Sequence, residues 1–113
     1  MANSFVNAKV DLTSTDNTTL YTTPTANVAL VKSILVSNDS GSGCNLDVTL
    51  TDSSGNVFSL FKTKTIATNT PTELITHPLV VEESEILKVQ ASDANELHVI
   101  ASILQIQPRE VTT

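Results

Sequence analysis

The chain has 113 residues, with six Lys plus Arg against twelve Asp plus Glu and a formal net charge of −6. So few cations argue against a track for nucleic-acid phosphates. Aromatics at 4%, with no Trp, argue against stacking platforms for bases or sugars.

One cysteine, Cys44, leaves no intrachain disulfide and no cysteine-rich metal site. The length suits one domain with its own core. Neutral polar residues replace the missing charge: 17 Thr, 12 Ser and 9 Asn make up about a third of the chain. Thr, Val and Ile number 36 against 21 for Ala, Leu and Met. Side chains branched at Cβ are stiff at χ1 and fit a pleated surface better than a helix, so the bias predicts an all-β fold. No apolar run approaches the roughly 20 residues of a membrane span. Met1 to Phe5 lacks the basic and apolar regions of a secretory leader, and the acidity is read as solubility.

Val6, Ala8, Val10 and Leu12 alternate with Asn7, Lys9 and Asp11, the period of a half-buried strand. Thr13–Thr19 is a turn segment, and Leu20–Thr23 a short strand stopped by Pro24. Val28–Asn38 is the most apolar strand. Straight alternation puts Val28, Leu30, Ile34 and Val36 on one face with Lys32, and Ala29, Val31 and Leu35 on the other. A strand apolar on both faces is either covered on both sides or placed at a subunit contact.

Asp39-Ser40-Gly41-Ser42-Gly43 reads as a hairpin loop into Cys44–Leu50, where Cys44, Leu46, Val48 and Leu50 form the inward set. Asp52–Asn56 turns the chain into Val57–Phe61, completing a predicted three-strand meander. Thr63–Ala67 and Thr72–Thr76 are short candidate strands, and His77-Pro78 breaks the second. Leu79–Val81 is a short apolar strand, and Glu82-Glu83-Ser84-Glu85 an acidic turn. Leu87–Ala91 alternates, Ser92–Glu96 reads as a hairpin turn, and Leu97–Ile106 is the last long strand, with Leu97, Val99, Ala101 and Ile103 on its apolar face. Pro108 ends it. This is about eight strands at regular spacing, the pattern of a sandwich or small barrel.

Three stretches carry a resemblance: Thr19–Pro24 leading into Val28–Asn38, then Leu79–Ser92, then Asn95–Ile106. Their order resembles that of small β-sandwich virion proteins of tailed bacteriophages, of the cyanophage and marine phage type. The likeness runs over roughly residues 5–106 and rests on strand and turn words rather than a chemical signature. The chain departs from the pattern in having Ser84-Glu85 where it has Gly-Asp, and Gln105 where it has Glu. Serine tolerates positive φ less well than glycine. The resemblance implies a virion protein made in the host cytoplasm. Its partners would be the major capsid protein or other virion proteins, and its state a homo-oligomer, with a trimer favoured. Its role would be capsid cement or decoration, with a tail, baseplate or fibre module as the alternative.

No catalytic, cofactor-binding or metal-ligating residue is expected. His77 and His98 have no partner pattern for zinc and read as surface or satisfied histidines. Glu82, Glu83 and Glu85 could offer oxygens to a hard cation but read as a solvated turn. Asp52–Asn56 opens like a calcium loop, yet Gly55 falls too early and no bidentate Glu follows. Gly41-Ser42-Gly43 is too short for a nucleophile elbow, so no enzyme is expected. A carbohydrate-binding module is a second alternative, which the scarcity of aromatics opposes. The Thr-rich segments read as solvent-facing turns or as a low-charge contact surface, since hydroxyls hydrogen-bond without the desolvation cost of charges.

The expected architecture is an all-β, antiparallel β-sandwich of about eight strands, jelly-roll-like. It is a single domain over 1–113, with a short arm at 1–4 and a tail at 108–113. No nucleic acid, membrane or cofactor is expected.

Overall fold

A computed structural model describes residues 2–107. The chain forms β1 (Ala2–Leu12), β2 (Thr18–Thr22), β3 (Val28–Asn38), β4 (Cys44–Thr51), β5 (Val57–Ile66), β6 (Thr72–Glu73), β7 (Leu79–Val81), β8 (Ile86–Ala91) and β9 (Leu97–Gln107). One sheet, here sheet A, runs β1-β9-β3-β6, with β7 also pairing to β3. The other, sheet B, runs β2-β8-β4-β5. All pairings are antiparallel. β6 takes Leu35 and Val36 while β7 takes Ala29 to Val31, so the two short strands share one edge of β3 and together fill the place of a single strand. Counted that way, eight strands divide between two four-stranded sheets, with every connection but the β4–β5 hairpin and the β6–β7 link crossing from one sheet to the other, which is the jelly roll.

The core lies between the sheets. Leu46, Val48, Leu87 and Val89 face it from sheet B, and Val31, Ile34, Val99 and Ile103 from sheet A, all essentially fully buried. Cys44 is buried among them, as its place in the alternation predicts. The face Leu97, Val99, Ala101, Ile103 of β9 is likewise inward. Tyr21, on β2, buries its ring and donates its hydroxyl to Gln105 Oε1 at 2.5 Å. Burial pushes its phenol up from the ordinary value.

Four predictions need correction. First, β1 starts at Ala2, and residues 2–4, expected as an arm, pair with residues 105–107 of β9. The expected tail at 108–113 lies outside the described residues.

Second, β3 does not alternate straight through. Its buried residues are Ala29, Val31, Ile34, Val36 and Asn38, while Leu35 faces out. Val31 pairs with Ile103 and Ser33 with Ser102, so Lys32 is an extra residue in a β-bulge. A bulge changes which face the following residues take.

Third, the segments 39–43 and 92–96 are not hairpin turns. β3 and β9 lie in sheet A while β4 and β8 lie in sheet B, so both segments carry the chain from one sheet to the other. The hairpin that the turn residues do mark is β4–β5. There Asp52 Oδ1 accepts from the Ser54 and Asn56 amides at 2.9 Å, and Gly55 supplies φ +91°.

Fourth, Thr63–Ile66 continues β5 rather than forming a strand of its own, and the strand expected over Thr72–Thr76 stops at Glu73.

Two crossings are fastened by polar side chains. Asn38 is buried. Its Nδ2 donates to the Ser42 and Ile66 carbonyls, and its Oδ1 accepts from the Ser40 amide and hydroxyl. Glu96 Oε1 accepts from the Ser40 and Ser42 hydroxyls at 2.8 and 2.7 Å, so the two sheet-crossing loops are clasped together.

Candidate functional site

The sequence-predicted polar candidates are spent on local structure. His98 sits on β9 between two carboxylates, with Nδ1 3.3 Å from Asp11 and Nε2 3.2 Å from Asp39. It ties β1 and the β3–β4 loop to β9, the role of a satisfied strand histidine. His77 is exposed beside Pro78. In the acidic turn, Glu83 Oε2 accepts from the Ala26 amide and Glu85 Oε1 from the Glu82 amide, each at 2.8 Å. Ser84 adopts φ +67° there, the geometry that the departure from glycine brings into question.

One cluster was not visible in the sequence. Cys44, Asp93 and Glu96 each bring a potential ligand atom within 4.8 Å of the others. Three ligands suit an open zinc site at most; Glu96 Oε1 holds two serine hydroxyls and so clasps the loops, while its Oε2 is buried with no hydrogen-bond partner among the described residues. Those hydroxyls hold the Glu96 carboxyl below its ordinary value. The hydrogen bond from the Asn56 amide does the same for Asp52.

The two outer faces of the sandwich differ in chemistry. On sheet A the register aligns Phe5 with Leu104, Leu104 with Leu30, and Leu30 with Val80. This is an apolar row across β1, β9, β3 and β7, whose ends Phe5 and Val80 are 82% and 52% exposed. A second row aligns Ile100 with Leu35, both exposed, with Lys9 and Glu73 at its ends. Asn7, Ser102 and Ser33 form a polar row between them. The apolar excess of β3 and β9 therefore faces the core on one side and solvent on the other.

Sheet B shows hydroxyls, with an exposed apolar pair, Val57 and Phe58, at the start of its edge strand β5. Thr19, Lys88, Thr49 and Ser59 align in one row across β2, β8, β4 and β5, where the Thr49 hydroxyl is buried and has no hydrogen-bond partner among the described residues. The Thr/Ser load of the composition is concentrated there and in the turns.

The sheet edges also differ. β5 is broken by two register shifts and carries Lys62 and Lys64, and β2 is short and bulged. β6 and β7 are two and three residues long. These features blunt an edge. β1 is the exception: eleven residues pair with β9 without a bulge, and among the described residues its other edge has no strand. An open edge of that length is a template for an added strand.

No family model matches the sequence, and no curated protein does. Among solved structures, a Bacillus endospore appendage protein that forms disulfide-linked pili matches at TM-score 0.58 and 11% identity, over 94% of this chain and 87% of that one. At that identity the likeness is one of fold. A pentameric capsid protein from metagenomic phage sequences matches at TM-score 0.49 and 21% identity, over 90% of this chain and 60% of that one. A chain of infectious bursal disease virus matches at TM-score 0.48 and 9% identity, over 95% of this chain and 31% of that one.

Proposed function

We propose that this chain is a structural protein of a phage particle, a capsid cement or decoration protein that works by contact and assembles with copies of itself. The observation that carries the reading is the outer face of sheet A. The apolar row Phe5–Leu104–Leu30–Val80 ends at the open edge of β1. A strand from a second copy added at β1 would extend both the ladder and the row, burying Phe5 while pairing exposed backbone groups. Exposed apolar surface in contiguous rows marks an interaction site rather than ordinary surface. The sequence resemblance to small β-sandwich virion proteins supports the same reading and favours a trimer. Several weak contacts from one oligomer would act together through effective concentration, which suits cohesion across a protein lattice.

The test is location. Particles released by the source of this gene are banded on a density gradient and probed with antibody against the purified chain. Immunogold label over the shell supports cement or decoration. Label confined to the tail overturns the cement role, and protein found only outside the particle fraction overturns the virion reading as a whole.

A further inference from the structure

On sheet B, the face opposite the apolar rows, a cleft of about 340 Å³ opens between the β1–β2 turn and the bulged part of β5. That volume is at the small end of the range of ligand sites. Its floor comes from β4 and β8, where Asp47 and Gln90 are direct cross-strand partners. Each of them holds one wall. Gln90 Nε2 donates to the Thr15 carbonyl at 2.9 Å, and Asp47 Oδ1 accepts from the Thr63 amide at 2.6 Å. Thr63 has φ +56°, a left-handed conformation that is costly for a residue branched at Cβ, and it sits in a β5 bulge. Strain of this kind collects at functional sites.

The unspent groups define what would fit. Asp47 Oδ2 and Gln90 Oε1 are acceptors left over from holding the walls. The Asn45 side-chain amide offers both donors and an acceptor, and the Thr63 hydroxyl one of each. Among the described residues no Lys or Arg lines the cleft, which disfavours an anion, and a single carboxylate is poor provision for a hard cation. No aromatic or large aliphatic side chain of the described residues lines it either, which disfavours an apolar ligand. A neutral ligand with adjacent hydroxyls satisfies the set.

We infer that this cleft binds a neutral sugar, with Asp47 and Gln90 accepting from neighbouring ring hydroxyls and Asn45 and Thr63 completing the hydrogen bonds. The site works without the stacking platform whose scarcity the composition announced, so a single site is weak, in the millimolar range. It lies on the face that assembly through sheet A leaves free, so an oligomer would present several copies and gain by avidity. The inference does not depend on the virion reading.

The experiment is an amide-resolved NMR titration of the full chain with glucose, galactose, mannose, N-acetylglucosamine and rhamnose, and with inorganic phosphate as a control. Saturable shifts clustered at Asn45, Asp47, Thr63 and Gln90 with at least one sugar are expected. Gln90→Ala should weaken that binding by about tenfold, the scale of one lost hydrogen bond in a small set, while distant resonances stay unchanged. Asp47→Asn should do the same. Because Asp47 holds Thr63 and Gln90 holds Thr15, Asn45→Ala, which releases neither wall, is the deciding variant if either substitution disturbs the fold. No saturable shift with any of the five sugars, shifts insensitive to Gln90→Ala, or a stronger response to phosphate overturns the inference.

Discussion

The bulge at Lys32 makes a prediction that runs against the usual cost of deleting a residue inside a central strand. Remove Lys32 and the remaining order is Ala29, Leu30, Val31, Ser33, Ile34, Leu35, Val36. In the fold these residues are in, out, in, out, in, out, in. The deleted strand alternates regularly, and its register to β9 becomes continuous, because Val31 already faces Ile103 and Ser33 already faces Ser102. Lys32 itself is exposed. Its deletion should therefore change stability by no more than about 1 kcal/mol, the range of surface changes with a small local adjustment.

Deleting Leu35, three positions on, removes a residue that the alternation needs. Val36 and Asn38 would turn outward and Ser37 inward. Val36 is fully buried, and exposing it costs about 1.5–3 kcal/mol. Losing the Asn38 hub strands the buried Ile66 carbonyl at about 1–3 kcal/mol and frees the half-buried bonds to Ser40 and Ser42. The sum, several kcal/mol, is a large part of the roughly 5–15 kcal/mol that holds a domain folded. Equilibrium urea unfolding of the two deletions and the parent chain measures the difference. A Lys32 deletion as damaging as the Leu35 deletion would refute the reasoning, because the bulge would then be required for the fold.

Three further predictions concern the loops. Asn38→Ala should cost about 1–3 kcal/mol in urea unfolding, since it orphans the Ile66 carbonyl in a buried setting and the Ser40 amide in a half-buried one; a change within a few tenths would show that the hub is dispensable. Ser84→Gly should stabilise by about 0.5–1 kcal/mol. Relief of a left-handed residue is worth about 1–2 kcal/mol, from which the larger unfolded-state entropy of glycine subtracts about 0.5–1; unchanged or lower stability would contradict it. Glu96 is held below its ordinary value of 4.5 by serine hydroxyls, so its contribution is fully present above that value and is lost as pH falls through the lower folded value. Melting temperature should decline on acidification below about 4.5, and Glu96→Gln should flatten that decline; an unaltered slope would assign the acid sensitivity elsewhere.

Elements with clean alternation and local turn chemistry were legible in the sequence. The inward set of β4, the apolar face of β9 and the Asp52–Asn56 hairpin follow from period and turn residues alone. The faces of β3 were not, because the bulge at Lys32 leaves no local mark: a lysine in an apolar run looks the same whether it is inserted or in phase. Nor did residues 39–43 and 92–96 reveal that they cross between sheets. Glycine, serine and asparagine favour a bend, and a bend serves a hairpin and a crossing equally well. What distinguishes the crossings is the reach of Asn38 to the Ile66 carbonyl and of Glu96 to Ser40 and Ser42 in the other loop, partners from other parts of the chain. The outer rows were hidden for a related reason. Phe5, Leu104, Leu30 and Val80 become neighbours only through three strand pairings of long separation, so the sequence showed an apolar excess in β3 without saying where it would be exposed.

The most direct measurement of self-assembly through sheet A is sedimentation velocity of the purified chain over a range of concentrations, beside the variants Phe5→Asp and Val80→Lys. Both side chains are exposed, so neither substitution should cost the fold. The parent chain should sediment well above its 12.0 kDa monomer, and each variant should shift toward the monomer while keeping the parent's urea midpoint. A parent chain that stays monomeric at every concentration, or variants that associate as the parent does, would contradict assembly through this face.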